Sequence, residues 1–73
     1  MVKIDPAKIQ KRFGERLREL RLERSMSQEA LALTAGVDRT YVNSVEMGKR
    51  NVSLVNIAKL ATALQIKVGQ LFD

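Results

Sequence analysis

Only two residues, Gly36 and Val37, separate the end of one short helical segment from the capping residue of the next. Ser27 is a typical N-cap for a helix over residues 28–35, and Gly36 suits the left-handed residue that ends such a helix. Asp38 is the next N-cap, and it precedes a helix of similar length. Because this connection is too short for the two helices to lie antiparallel, they must cross steeply. The spacing therefore predicts a helix-turn-helix unit.

Two further helices are predicted, one on each side of this unit. Asp5 followed by Pro6 is typical of a helix start, and apolar residues then recur with helical spacing along one stripe. The stripe consists of Ile9, Phe13, Leu17 and Leu20. Ser53 is the N-cap predicted for the other helix, over roughly residues 54–64. Its inward residues are predicted to be Leu54, Ile57, Ala58, Ala61 and Leu64.

The predicted fold class is all-α, because no segment shows the sustained alternation of a strand. A last turn near residues 69–72 is predicted to fold Leu71 and Phe72 back against the core. The expected architecture is a compact five-helix bundle with a helix-turn-helix unit over about residues 27–46. At this length the chain is expected to form a single domain, residues 1–73.

The chain contains neither histidine nor cysteine. Their absence removes the commonest general base, the thiolate nucleophile and the preferred ligands of zinc. We therefore predict no catalytic residue, no metal site, no cofactor and no enzymatic activity. The longest apolar run, residues 30–33, is far shorter than the ~20 residues that cross a bilayer, and the first residues lack the apolar segment of a secretory signal. These features favour a cytoplasmic protein without a membrane or small-molecule partner.

The net charge of +5 favours a polyanionic partner. Positive charge is concentrated in residues 1–24 and 49–73, whereas residues 25–48 have a small negative balance. The charge does not decide the function alone, because a mixed run such as residues 15–19 is usually a solvated helix face. The charge pattern alone fits both nucleic-acid binding and an ordinary charged surface.

One face of the helix that follows Asp38 has side chains suited to reading DNA bases. Arg39 can bind a guanine edge with two hydrogen bonds, and Asn43 can bind adenine in the same way. Thr40 and Ser44 are adaptable, and Thr40 also offers a methyl group to thymine. In a helix-turn-helix protein this second helix enters the major groove. The alternative is that the face is polar only because it is solvated.

Several stretches of the sequence, taken together, resemble the phage repressor and Cro (Xre-type) helix-turn-helix family. They are residues 27–32, 35–42 and 45–50, continued by residues 54–64 and 71–72. Residues 38–42 and 50–54 are most similar to the controller proteins of restriction–modification systems. Such controllers are small dimeric regulators, so the resemblance implies a sequence-specific transcriptional regulator that binds a near-palindromic operator through the major groove.

The resemblance also assigns roles to the residues that match the family pattern. Arg39, Thr40, Asn43 and Ser44 occupy the base-reading positions. Gln28 is expected to hold a phosphate with its side chain, and Tyr41 to pack inward with its hydroxyl on a phosphate. Further backbone contacts are expected from the loop after the recognition helix, at Lys49, Arg50, Asn51 and Ser53. Arg21 and Glu46 are expected to form an ion pair between the first helix and the recognition helix.

The sequence departs from the family pattern at several helix ends. Ser25 and Gln65 lie where the family has glycine in the left-handed conformation, which predicts slight strain or longer helices there. Lys67 replaces a small polar cap before the last turn. Met47 lies where many members have a polar or basic residue, so no DNA contact is assigned to it.

The expected partners are a double-stranded DNA operator and a second copy of the chain. A dimer is expected because the fourth helix and the segment after it have apolar residues beyond the inward stripe. The predicted interface comprises Val55, Leu60, Ile66, Val68, Leu71 and Phe72, although each could equally belong to the core. Glu29 is a candidate contact with RNA polymerase, and the alternative is that it only complements the helix dipole.

Three competing functions account for parts of the sequence. The first is a different phage or plasmid repressor of the same family. The second is an antitoxin-like protein-interaction module, which would need a segment outside the fold, and none is expected here. The third is a basic amphipathic helix over residues 6–24 that binds membranes, but Glu15, Glu19 and Glu23 interrupt its basic face.

Overall fold

The computed structural model describes residues 2–73. In this part of the chain the regular structure is helical throughout, without a strand. The α-helices are α1 (Pro6–Glu23), α2 (Gln28–Ala35), α3 (Arg39–Glu46) and α4 (Leu54–Leu64), followed by a 3₁₀ turn, Val68–Phe72. The all-α class is confirmed, but the fifth helix is wrong. The last segment forms only a short turn, with an i→i+3 hydrogen bond from the Gln70 N–H to the Lys67 carbonyl oxygen.

Each α-helix begins after the N-cap predicted from the sequence. A side-chain oxygen of the capping residue accepts a hydrogen bond from a backbone N–H in the first turn, at 2.9 to 3.1 Å. The capping residues are Asp5, Ser27, Asp38 and Ser53. Since these bonds satisfy N–H groups that have no partner within the helix, helix starts are determined locally. The short connection after α2 follows from the same local chemistry.

Each of the four α-helices is followed by a residue in the left-handed conformation, which is Gly48 after α3. Gly36 ends α2 with φ +72°, as the sequence predicts. Ser25 and Gln65 adopt φ +54° and +57°, at the two positions where the family has glycine. The backbone hydrogen bonds that close a helix end are formed there, from the Met26 N–H to the Arg21 carbonyl and from Ile66 to Ala61. The helices end where glycine would end them, with a side chain in a strained conformation.

The core is formed by one face of every helix and by Leu71. Its buried residues are Phe13, Leu17, Leu20, Leu31, Ala32, Ala35, Val42, Val45, Ile57, Leu60, Ala61, Leu64 and Leu71. The predicted inward face of α4 is wrong in part, because Leu54 is 84% exposed, Ala58 is also exposed, and Leu60 is fully buried. Ile9 is half exposed, since α1 begins beyond the edge of the core.

The predicted dimer interface requires a correction at Leu60 and Leu71. Their exposed fractions are 0% and 1%, so both side chains are enclosed by their own chain and have no surface for a second copy. α4 is apolar around most of its circumference, and helical spacing alone therefore fits more than one inward face. Val55 and Phe72 are exposed, together with Val68, whereas Ile66 is half-buried.

Two glycines bring the backbone of α1 close to α3 and to the loop after it. A Cβ atom on Gly14 would lie 2.2 Å from the Val45 carbonyl oxygen, so the helices touch there through their backbones. Gly48 has φ +76°, and a Cβ on it would lie 2.8 Å from the Lys11 Cα. α1 therefore supports the inner side of α3, and the opposite side of α3 faces solvent.

Candidate nucleic-acid interface

The solvent-facing side of α3 carries the predicted base-reading residues. Arg39, Thr40 and Asn43 are exposed and Ser44 is half-buried. Between them and the start of α2 lies an open polar hollow of about 260 Å³, lined by Gln28, Arg39, Thr40 and Asn43. The structure thus brings three of the four base-reading candidates together beside Gln28, whereas Ser44 does not line the hollow.

A buried ion pair anchors α3 from behind. The Arg21 Nε donates to Glu46 Oε2 at 2.6 Å, and Nη2 donates to Glu46 Oε1 at 2.9 Å. The residues are only 7% and 9% exposed, and Arg21 Nη1 also donates to the Met26 carbonyl oxygen at 2.8 Å. The hydrogen bond to Glu46 raises the pKa of Arg21, burial lowers it, and the charge of Glu46 raises it further, with a net increase. The expected pair is therefore present as a two-point contact between α1 and α3.

Gln28 makes contacts that differ from its predicted role. Its Nε2 donates to Asn43 Oδ1 at 3.2 Å and to Glu46 Oε1 at 3.1 Å. The Asn43 Nδ2 in turn lies 3.6 Å from the Met47 Sδ. Gln28 thereby connects the ion pair behind α3 to a base-reading candidate on its outer side. Sequence spacing gave no sign of this connection, because Gln28 and Asn43 belong to different helices.

Tyr41 is held between α4 and the loop that follows α3. Its hydroxyl oxygen accepts a hydrogen bond from the Asn56 Nδ2 at 3.1 Å, and the Arg50 guanidinium carbon lies 5.5 Å from the centre of its ring. The ring is half-buried, as expected. Asn56 was missed at the sequence level, since an amide in the first turn of a helix has no characteristic spacing. Because Tyr41 uses its oxygen as an acceptor, its O–H stays available to donate.

The remaining backbone-contact candidates lie in the loop between α3 and α4. Lys49, Arg50 and Asn51 are exposed. Ser53 is exposed too, but its Oγ is engaged in capping α4. These residues directly follow α3 and Gly48. Gly48 packs against the backbone of α1 at Lys11, and this contact positions the start of the loop.

Within residues 2–73, no cluster of potential metal-ligating side chains could hold a metal ion. Over the same residues, every helix is too short or too polar to cross a membrane.

Two short helices, α2 and α3, are joined by a brief connection that contains a left-handed glycine, and the outer side of α3 is polar. These features define a helix-turn-helix domain. Residues 17–71 match the Helix-turn-helix (HTH_3) family. The chain is also similar to the control protein C.MunI from Mycoplasma sp., with 49% identity over 63 residues that cover 85% of each protein.

Solved structures of controllers show the same fold. The restriction–modification controller protein C.AhdI from Aeromonas hydrophila superposes with a TM-score of 0.88 at 58% identity, over 89% of this chain and 98% of that one. The C.Esp1396I tetramer, in complex with its natural 35 base-pair operator, has a TM-score of 0.80 at 27% identity, over 86% and 83%. The chain belongs to the helix-turn-helix family and, within it, to the control proteins of restriction–modification systems.

Proposed function

We propose that the protein regulates transcription by binding a near-palindromic operator as a dimer, with α3 of each subunit in the major groove. The observation that carries the proposal is the exposed polar side of α3, which the buried Arg21–Glu46 pair supports from behind with two hydrogen bonds. The related C.Esp1396I, a tetramer on its operator, supports the DNA partner and the oligomeric binding. The regulated genes are those of a restriction–modification system.

Base edges are read by Arg39, Thr40, Asn43 and Ser44, which share the outer side of α3. The DNA backbone is contacted by the loop residues Lys49, Arg50, Asn51 and Ser53 and by the O–H of Tyr41. The Arg50 guanidinium lies over the Tyr41 ring, and this cation–π contact favours its position before DNA is bound. This division follows the general pattern in which phosphate contacts position a protein and base contacts specify the sequence.

The dimer forms through exposed apolar residues of α4 and the last turn. They are Val55, Val68 and Phe72 of the predicted set, and we add Leu54 because it is exposed, with the half-buried Ile66 at the edge of the patch. Glu29 is exposed in the first turn of α2, where a carboxylate complements the helix dipole, and we assign it that role rather than a contact with RNA polymerase. We propose that the protein needs no cofactor and catalyses no reaction. It acts in the cytoplasm, where its operator is.

Selection of double-stranded DNA from a random-sequence library tests the function. The wild-type protein should enrich one motif with two-fold symmetry, whose half-sites lie about 10 base pairs apart or a multiple of that distance. Asn43→Ala should enrich a motif with reduced information at one position of each half-site. Enrichment of no motif would contradict the proposal. Footprinting on the DNA upstream of its own gene then locates the natural operator.

A further inference from the structure

Gly48, which follows α3, lies directly against the side of α1 from which Lys11 projects. A Cβ atom on Gly48 would be 2.8 Å from the Lys11 Cα and 3.2 Å from the Lys11 Cβ. The side chain of Lys11 therefore leaves α1 at the point where the loop between α3 and α4 begins.

This stretch of α1 runs along the loop that is proposed to contact the DNA backbone. Gln10, next to Lys11, shares a hollow of about 170 Å³ with Arg50 and Asn51. Lys49 lies between Gly48 and this hollow in the chain, and it is exposed like Lys11. Because a lysine ammonium is carried on a long, flexible stem, Lys11 can bring its charge to the same DNA strand that the loop contacts.

The charge at the start of α1 favours an anionic partner. Residues 2–12 contain four basic side chains and one acidic side chain, and the acidic one, Asp5, caps the helix. The next acidic residue is Glu15, one turn beyond Lys11. Within residues 2–73 no ion pair joins Glu15 to Lys11. The Lys11 ammonium is therefore available to a phosphate.

We propose that Lys11 binds a phosphate of the operator, and that the DNA-contact surface of each subunit thereby extends from the loop onto α1. The inference rests on the proposed function, because it assumes that the loop lies against the DNA backbone. It goes further in adding α1 to a surface otherwise formed by α3 and the loop. The contact adds affinity without sequence preference, since a phosphate carries no base information.

The salt dependence of binding tests the proposal with Lys11→Gln, which removes the charge and keeps most of the stem. The probes are the duplex selected by the wild-type protein and a random duplex of equal length. On both, the slope of log affinity against log salt should fall by about 0.9 per subunit, and the affinity at about 0.1 M salt should fall about three- to eightfold per subunit. Lys11→Arg keeps the charge and should keep the wild-type slope, which a purely structural role of the lysine stem does not predict.

Arg18→Gln is the matched control on the same helix. Arg18 is exposed and lines a hollow with Glu15, Glu19 and Glu46, so the substitution removes the same charge from acidic surroundings away from the loop. It should leave the slope nearly unchanged. Equal changes of slope for Lys11→Gln and Arg18→Gln would overturn the proposal, because they would reflect only the net charge of the protein.

A proximity measurement distinguishes a phosphate contact from a general effect of charge. The chain contains no cysteine, so Lys11→Cys and Arg18→Cys each provide one attachment point for an iron chelate that cleaves nearby DNA. On the selected duplex, the chelate at position 11 should cut the backbone beside each half-site, and the chelate at position 18 should give no discrete cuts.

The two measurements also separate this inference from the proposed function. Absence of cleavage from position 11 would refute the contact on α1, even if the library yields a two-fold symmetric motif. If no motif is selected but Lys11→Gln still lowers the slope on random DNA, the contact on α1 stands and the sequence-specific function fails.

Discussion

Gly14 on α1 lies so close to Val45 on α3 that a Cβ atom at position 14 would come within 2.2 Å of the Val45 carbonyl oxygen. The same atom would lie 2.8 Å from the carbonyl oxygen of Glu46. Both neighbours are backbone atoms of a helix, and they cannot move aside as a side chain could. The distance between α1 and α3, and with it the position of the recognition helix, therefore depends on this glycine.

Gly14→Ala is expected to destabilise the protein, although alanine is the better helix former by about 1 kcal/mol. Forcing the two helices apart should outweigh that gain and lower the free energy of unfolding by about 1–3 kcal/mol. Urea unfolding followed by circular dichroism measures the change. Gly69→Ala is the matched control, because a Cβ there has open space and no positive φ, so it should be nearly neutral. A stabilised Gly14→Ala protein would contradict the close approach.

Arg21 and Glu46 are expected to be energetically coupled. A cycle on Arg21→Met and Glu46→Gln should give a coupling energy of roughly 1–3 kcal/mol in unfolding experiments. The pair Arg16–Glu19, in which Glu19 is exposed and Arg16 is half-buried, offers the control, since a pair one helical turn apart couples by about 0.2–0.5 kcal/mol. Additive effects at Arg21 and Glu46 would exclude the buried pair as a stabilising unit.

The contribution of Arg21 should not depend on pH in the ordinary working range. Its pKa is raised in the folded state, chiefly by the hydrogen bond to Glu46. A group with a raised pKa stabilises the fold fully below its unfolded pKa and loses that contribution only as the pH rises through the folded value. Since arginine is protonated up to about pH 12 even when unfolded, the cost of Arg21→Met should be the same at about pH 7 and pH 10.

Ser25→Gly and Gln65→Gly should each stabilise the protein. Both residues hold a left-handed φ, and glycine adopts it without the steric cost that a side chain incurs. The gain is partly offset by the larger entropy of glycine in the unfolded chain, which leaves about 0.5–1 kcal/mol at each position. Thermal unfolding measures the effect. Ser25→Ala retains a Cβ and should give no gain, and a gain equal to that of Ser25→Gly would contradict the explanation.

Local chemistry made the helix boundaries predictable from the sequence. The caps Ser27 and Asp38 and the left-handed Gly36 act within a few residues of their own positions, so their effect can be deduced without the fold. The contact between Arg21 and Glu46 was also accessible, but only through the family resemblance, because 25 residues separate the two side chains.

The errors arose where packing chooses between locally equivalent arrangements. α4 has apolar residues on several sides, and only its position against the other helices decides that Leu60 is buried and Leu54 is exposed. The two hydrogen bonds of Gln28 depend on how α2 crosses α3, which spacing along the chain does not specify. Similarly, nothing in the sequence around Gly14 shows that another backbone lies against it.

Substitutions of exposed and buried apolar residues should separate dimerisation from folding. Val55→Ser removes an exposed apolar side chain and should weaken the dimer about tenfold, with little effect on the fold of each subunit. Leu71→Ala should instead lower the free energy of unfolding by about 2–5 kcal/mol, because Leu71 is buried within its own chain. Analytical ultracentrifugation at micromolar concentration measures the dimer.

Leu33→Ser is the control for this experiment, since Leu33 is also exposed, at 83% against 65% for Val55, but lies on α2. It should leave the dimer unchanged. Weakening of the dimer by Leu33→Ser, with no effect of Val55→Ser, would move the interface from α4 to α2.

Base reading and phosphate binding should be distinguishable at Arg39 and Lys49. Arg39 projects from the first turn of α3 into the polar hollow, and Arg39→Ala should weaken binding to the selected operator by about 1–3 kcal/mol per half-site. Random DNA should be affected much less. The variant should also relax the preference at one base pair of each half-site, and we expect this to be a G·C pair because arginine binds the guanine edge.

Lys49 lies in the exposed loop and offers only a point charge, so Lys49→Ala should weaken binding to both DNAs similarly. It should also reduce the slope of log affinity against log salt by about one per subunit, because one phosphate is no longer neutralised. Lys59→Ala, which removes the same charge from α4, is the control and should change the slope much less. Titrations of all three variants over a salt series decide the roles. Equal weakening of both DNAs by Arg39→Ala would make Arg39 a phosphate contact and confine base reading to Thr40, Asn43 and Ser44.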